Sequence, residues 1–391
     1  MTDNFNYSLE QESMLACSYL CKYNFIDEVI YPNLSQDRHV NIYVDIKNAI
    51  PAIHSPAEMN KLVLDYNSNS DRYTLARTMI ILANHWMRYF RKRDIGCSLF
   101  FYDDRGNCTY HNSIDRNYKS NRKQTKTRIA TELDIAESII HKYALIYDRN
   151  VMLISNLFKI LNNVFFIKLK DIEADFIPKL LMNEYFTKDG KIDTAYTHII
   201  FSNDKDYGQL LTHKNIFQLA RNVKNKTWEL RDYRNVMSTF MGRDYKKELS
   251  LNSAEFIPLI LGAAGDSVDG FSGIYGVGKA TFYKLLNDLY STKIITDEDY
   301  TVDKFLFKLK EACKMDMKLS NNRVAKLLLA SEETLIDSYR LASFKEMIDW
   351  LSYEQKSKIL VQLEKTNSNN DERYTLLKQL CEYERSFNSL L

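Results

Sequence analysis

With 391 residues, 45% of them hydrophobic and 27% charged, the chain is long enough to bury a sizeable core and has the balance of a folded domain with appendages. Its 53 basic and 51 acidic residues nearly cancel to a net charge of +2, which excludes a uniformly basic polymer-binding protein and requires any nucleic-acid contact to come from local segregation of charge. Six scattered cysteines with no C-x-x-C, no leader-like opening and no stretch of about 18 apolar residues argue against a disulfide framework, a zinc site, secretion or a membrane span, so an intracellular, cytoplasmic protein is expected.

In chain order, residues 1–40 form an N-terminal extension. NIYVDI (41–46) is the first of four short apolar runs that predict buried strands; the others are CSLFFY (97–102), VFFIKL (164–169) and HIIFS (198–202). Between the first two, Leu75, Met79, Leu82, Trp86 and Phe90 recur at helical spacing. After the second comes RNYKSNRKQTKTR (116–128), with six basic residues and no acidic one, and then an amphipathic helical pattern from Ile129 to about Asn162. Ile172 to Tyr185 is again helical, and from about Ser291 the charged, amphipathic tail predicts a helical subdomain. Strands alternating with helices predict an α/β domain with a mostly parallel central sheet and flanking helices.

The acids fall at matching places. Asp45 lies near the end of the first run, Asp103 follows the second, Glu173 and Asp175 open the helix after the third, and Asp204 and Asp206 follow the fourth. In open α/β sheets ligands bind outside the carboxyl ends of the strands, so these six carboxylates should converge on one rim. Any one alone reads as a helix cap or a solvated loop acid. Together they would repel strongly, and the arrangement calls for divalent cations. The basic run beside them then reads as a phosphate clamp rather than a solvated helix face.

GIYGVGKA (273–280) falls one residue short of a P-loop. Ala280 stands where the metal-binding hydroxyl is needed, and Thr281 comes one residue late, turned about 100° away on a helix. What remains is a glycine turn feeding an apolar helix, which offers N–H groups to an anion such as a DNA phosphate. Asp266 and Asp269 lie just upstream.

As an ordered set, VDIKNAI with Asp45, FFYDD with Asp103, YKSNR at 118–122, IEAD at 172–175, FSNDKDYGQLL at 201–211 and GDSVDGFSGIYGVG at 265–278 resemble the 5′ nucleases. That family comprises flap endonucleases, phage 5′ exonucleases and the 5′ nuclease domains of bacterial DNA polymerases, and YKSNR and GDxxD point to its phage and bacterial branch. The resemblance covers roughly residues 40–290. It implies a PIN-like 5′ nuclease core over 41–215 with a helical arch at about 105–163, a helix-three-turn-helix within 216–290, and a C-terminal α-helical subdomain at 291–391. It further implies two magnesium ions, replaceable by manganese. Asp45, Asp103, Glu173 and Asp175 would hold the first, and Asp175, Asp204, Asp206, Asp266 and Asp269 would surround the second. Lys119 would sit on the scissile phosphate with Arg122 assisting. Tyr118, Lys123, Lys126 and Arg128 would contact DNA, as would Gly273, Gly276, Gly278 and Lys279 at the hairpin, where a potassium ion on backbone carbonyls is also implied.

The implied activity is 5′–3′ exonuclease and flap endonuclease action on DNA flaps, nicks and ends, and on RNA–DNA hybrids where RNA primers are removed. The setting would be replication or repair, by a monomer working with replication proteins and away from membranes. The alternatives are a catalytically inactive, structure-specific DNA-binding protein of the same fold, a P-loop ATPase and a related sheet-based ribonuclease. Eight retained acids argue against the first, and the glycine hairpin against the last. The chain departs from the family pattern at Phe176, where a carboxylate is common, at Gly270, where Asn is usual, at Lys279, one place early, and at Asp104, where Gly usually follows the preceding acid.

Overall fold

HVNIYVD is buried on both faces from Val40 onward, the mark of a central parallel strand covered by helices on either side. The computed structural model describes residues 39–53, 74–103, 109–116, 118–119, 137–170, 172–222, 227–242 and 251–364. In it β1 (His39–Asp45) runs directly into α1 (Ile46–Ile53). After α2 (Thr74–Arg91), β2 (Gly96–Tyr102) lies parallel to β1 with Tyr102 opposite Asp45. A short α3 (Thr109–Ile114) and a long α4 (Glu137–Ile160) lead to β3 (Val164–Ile167), parallel to β2. A 3-10 turn at Ala174–Phe176 opens α5 (Ile177–Tyr185), with Pro178 in the first turn, where its missing N–H removes no helical bond.

On the other side of β1 lie β4 (Tyr196–Phe201) and β5 (Ile216–Asn222), both parallel, and then β6 (Thr227–Arg231), antiparallel at the edge. The sheet order is β3-β2-β1-β4-β5-β6. The parallel α/β expectation is met, and the sheet is wider than the sequence predicts. IFQLARN and TWELR mix Gln218, Arg221 and Glu229 with apolar residues, so neither stands out as an apolar run; Gln218 is nonetheless buried and donates to the carbonyls of Ser202 and Asp204. The expected strand at 164–169 stops at Ile167, and of the expected helix at 129–162 the described part is 137–160.

Beyond the sheet come α6 (Val236–Met241), α7 (Ile257–Ala264), a two-rung hairpin of β7 (Gly265–Asp266) and β8 (Phe271–Ser272), and α8 (Lys279–Ser291). The tail is helical throughout its described length, in α9 (Val302–Met315), α10 (Met317–Ser320), α11 (Arg323–Ala330), α12 (Glu332–Ala342), α13 (Phe344–Trp350) and α14 (Tyr353–Leu363).

Alternation along β1 divides the core in two. Val40, Ile42 and Val44 join Trp86, Phe101, Phe158 and Phe201 on one face of the sheet. Tyr43 faces the other way, with Phe100, Tyr102 and Ile200, into a larger cluster that takes in Phe282, Phe305, Tyr339 and Phe344. The tail therefore shares its core with the sheet. At about 1.5–3 kcal/mol for each large apolar side chain removed from water, it is part of the fold rather than an appendage.

Candidate functional site

The parallel strands point their carboxyl ends the same way, and the acids that follow them gather there. Asp45 ends β1, almost fully buried, and accepts hydrogen bonds from the N–H and side-chain amide of Asn48. Ser202, just past β4, stands 3.5 Å from Asp45 Oδ2 and also accepts the Asp204 N–H. Asp204 caps the following 3-10 turn, Lys205–Leu210, by accepting from Asp206 N–H at 2.9 Å. Tyr207 donates to Asp175 at 3.3 Å, and its hydroxyl pairs with that of Tyr102 at 2.8 Å.

These carboxylates feel one another. Burial lifts Asp45 to about 6, against the Asn48 hydrogen bonds and with the help of the Asp204 charge. Burial, then the charges of Asp204 and Asp45, drive Asp175 well above the ordinary carboxylate range. Asp204 is raised by burial and Asp269, and Asp206 is pushed to about 8 by burial and then by Asp204, Asp269 and Asp266. One Asp206 oxygen, Oδ1, is buried without a hydrogen-bond partner among the described residues.

Lys119 sits against this cluster. Its ammonium donates to Glu173 Oε2 at 2.6 Å, stands 3.8 Å from Asp269 Oδ1 and lies 4.8 Å from the centre of the Tyr118 ring. Its backbone N–H donates to Asp269 O, and Tyr118 donates to Asp269 Oδ2 at 3.3 Å. His111 stacks on Tyr118 at 4.3 Å, donates from Nε2 to Leu341 O and brings Nδ1 to 3.5 Å from Glu173. Burial would raise Glu173, but His111 and Lys119 outweigh it and hold the carboxyl down at about 2.

Asp103 is held differently. Lys168 donates to it at 2.8 Å, Tyr147 at 3.0 Å, and Lys47 stands 3.6 Å away. This clamp opens on a cavity of about 700 Å³ that Val151, Met152 and Lys159 also line.

The glycine stretch closes the site on its far side. Asp266 Oδ1 accepts from Val268 N–H at 2.7 Å, which shapes the β7–β8 hairpin. A Cβ on Gly273 would lie 2.2 Å from Gly265 N and 2.5 Å from Ala263 O, so only glycine lets the two chains pass. Val277 N–H then bonds Ile274 O, and Gly276 takes φ +81°, the third position of a type II turn, which demands glycine. Gly278 is another matter: it is extended, and a Cβ there would meet nothing nearer than Thr281 Oγ1 at 3.9 Å. Thr281, out of register for a P-loop, accepts the Gly278 N–H at 3.0 Å and so caps α8. Lys279 lies over the Phe240 ring at 4.0 Å, turned back toward the acids.

Two solved structures of a bacteriophage T5 enzyme superpose along most of this chain. T5 5′-exonuclease with bound zinc aligns with a TM-score of 0.52 and 14% identity, over 83% of this chain and 99% of that one. The T5 flap endonuclease, in a pseudo-enzyme–product complex with DNA and metal ions, aligns with 0.52 and 15%, over 84% and 100%. The chain has the fold of the T5 5′-exonuclease. No protein-family model and no curated protein sequence matches it.

Within that fold, Asp45, Glu173, Asp175, Asp204, Asp206, Asp266 and Asp269 fall around one site, with Tyr118 and Lys119 among them, while Asp103 stands in its own lysine clamp. Arg122, Lys123, Lys126, Arg128 and Asp104 lie outside the described residues. Phe176 replaces a possible acid with an apolar plug, packed 5.4 Å from His111 and 4.9 Å from Phe344 of the tail.

Mutual repulsion and the orphaned Asp206 oxygen fit a cation. Among the described residues, however, no group of three carboxylate, histidine or cysteine side chains is set to ligate one ion as it stands. Nothing in the sequence marks His111, Tyr147, Lys47 or Lys168 for these contacts. A lone histidine or lysine has no local pattern, and only Lys47, two residues after Asp45, lay inside a motif. Among the described residues no helix is long and apolar enough to cross a membrane.

Proposed function

We propose that the chain is a structure-specific 5′ nuclease that hydrolyses DNA phosphodiesters with divalent metal ions, in the manner of 5′–3′ exonucleases and flap endonucleases. The observation that carries this reading is the gathering of Asp45, Asp175, Asp204 and Asp206 at the carboxyl edge of the sheet, linked through Ser202 and Tyr207, beside the ammonium of Lys119 on Glu173. Asp45, Asp175, Asp204, Asp206, Asp266 and Asp269 would hold magnesium, or manganese in its place. Bound there, the ions would supply an activated water and neutralise charge on the departing oxygen. Glu173 and Asp103 join the set only where Lys119 and Lys168 let go of them. Lys119, moved from Glu173 to a substrate phosphate, would keep its charge paired and favour the developing negative charge. The hairpin N–H groups would take a phosphate of the duplex, with potassium on the neighbouring carbonyls.

The test is a panel of labelled 5′-flap, nicked and RNA-primed duplexes with magnesium, with chelator, and with Asp204→Asn. Asparagine can still accept the Asp206 N–H, so shape is kept while one charge goes. Cleavage should fall by orders of magnitude and nicked-duplex binding should persist. Full activity in chelator, or in the variant, would refute the metal assignment.

A second reading draws on the lysines. Lys119 and Lys168 already neutralise Glu173 and Asp103, as they would in a protein that binds branched DNA without cutting it. It forecasts tight flap binding and no turnover with magnesium, manganese or zinc.

A further inference from the structure

The tail, which no sequence motif explains, places one side chain over the glycine hairpin. A Cβ on Gly276 would lie 3.4 Å from Arg323 Nη2 and 3.5 Å from Leu327, both from α11. That position is well fixed. Asn322 accepts the N–H groups of Val324 and Ala325 at 2.9 and 3.1 Å, which sets where α11 begins. Ala325 and Leu328 are buried, and α11 packs on α8. The guanidinium is exposed and makes no ion pair or hydrogen bond among the described residues. The first turn of α11 carries no acid, and nor does that of α8. A cation at the start of a helix works against the helix dipole, so local electrostatics give Arg323 no reason to be there.

Beside it, Tyr275 is 96% exposed at the tip of the type II turn, while its neighbours Ile274 and Val277 are buried at 5% and 4%. The turn is thus anchored on both sides and presents an unburied aromatic side chain one residue before the glycine that the Arg323 guanidinium overhangs. Lys326, also exposed, follows Arg323 by three residues on the same face of α11.

We propose that Arg323 and Tyr275 together extend the hairpin into a two-point grip on the duplex backbone. The guanidinium takes a phosphate next to the one held by the hairpin N–H groups, and the tyrosine ring packs on the intervening deoxyribose. This rests on the reading of the hairpin as a duplex-phosphate site. Arginine suits the role because its planar fork can bind two phosphate oxygens at once. Duplex is the matching partner, because two contacts one phosphate apart on a rigid turn need a backbone of fixed spacing, and a flexible single strand offers none.

The experiment measures affinity of the full-length protein for a nicked duplex and for a single strand of the same length, from 50 to 200 mM salt, with calcium in place of magnesium. For Arg323→Gln the duplex salt slope should fall by about 0.9, so that over this range the parent loses about 3.5-fold more affinity than the variant. Arg323→Lys should restore the slope. Tyr275→Ala should weaken duplex binding at every salt concentration with the slope unchanged, and single-strand binding should be the same in all. Arg323 is exposed, so melting temperatures should match the parent. Should Arg323→Gln keep the parental slope while Gly276→Val weakens duplex binding, the hairpin reading stands and the role of Arg323 is overturned. Should Gly276→Val also leave duplex affinity untouched, both fall.

Discussion

The acidic rim and the glycine hairpin are neighbours, joined through the backbone bond from Lys119 to Asp269, yet they use amino acids in opposite ways. At the rim, function rests on side-chain charge held at fixed places: Asp45, Asp175, Asp204 and Asp206 repel one another, and Lys119 and His111 hold Glu173 ionised. At the hairpin, backbone shape matters and side chains mostly stay out of the way: Gly273 lets two chains cross, and Gly276 supplies a positive φ. The rim should therefore fail when one charge is lost at constant shape, and the hairpin when a few atoms are added at constant charge.

The largest effect should come at the rim. Lys119→Ala is expected to lower single-turnover cleavage by about a hundredfold or more, while nicked-duplex affinity stays within a few-fold, because a contact made mainly in the transition state shows in the rate. Equal losses in rate and affinity would make Lys119 a plain phosphate anchor and erase the contrast. Next in size, Gly276→Val puts a β-branched residue at φ +81°. A left-handed residue costs about 1–2 kcal/mol, so duplex binding should weaken roughly tenfold. The rate at saturating substrate should stay near the parent's, and a collapse of that rate would show that the hairpin also shapes the rim.

A smaller effect lies in the pH dependence of stability. Asp45 at about 6 and Asp206 at about 8 titrate above their ordinary 3.8, so the native state binds their protons more tightly than the unfolded chain does. Their contribution is full below about pH 4 and is lost as pH rises through 6 and 8. Glu173 runs the other way: held at about 2 against 4.5, it stabilises above pH 4.5 and that contribution is lost as pH falls toward 2. Without metal, Tm should peak in the mildly acidic range and fall by a few degrees by pH 8.5, and magnesium should remove the fall. Melting curves in chelator and in magnesium across pH check this, and a flat metal-free profile would dissolve the proposed cluster. The smallest effect belongs to Gly278→Ala. With φ −92° and only an ordinary contact with Thr281 at the Cβ position, it should change duplex affinity less than twofold, and a large loss would mean that the hairpin needs more than the shape of Gly273 and Gly276.

Much of this contrast was legible in the chain alone. Four apolar runs followed by acids predict four of the six strands and the rim, because burial on both faces leaves a nearly uninterrupted apolar word and the carboxyl end of each strand is set by where that word stops. The near-miss P-loop likewise points to a shaped anion turn, since glycine spacing is a local signal. What sequence could not show depends on pairing between elements. Leu219 of β5 pairs with Leu230 of β6 although both strands carry polar residues. Glu173 is held by His111 and Lys119, and Asp103 by Lys168. The tail's part was the least visible: Gln209 donates to Ala342 O and accepts from Phe344 N–H, Phe344 packs on Phe176, and Arg323 overhangs Gly276. Periodicity and spacing record which face of an element is buried. They do not record what it is buried against, because that choice is made by packing and charge pairing between separate elements of the chain.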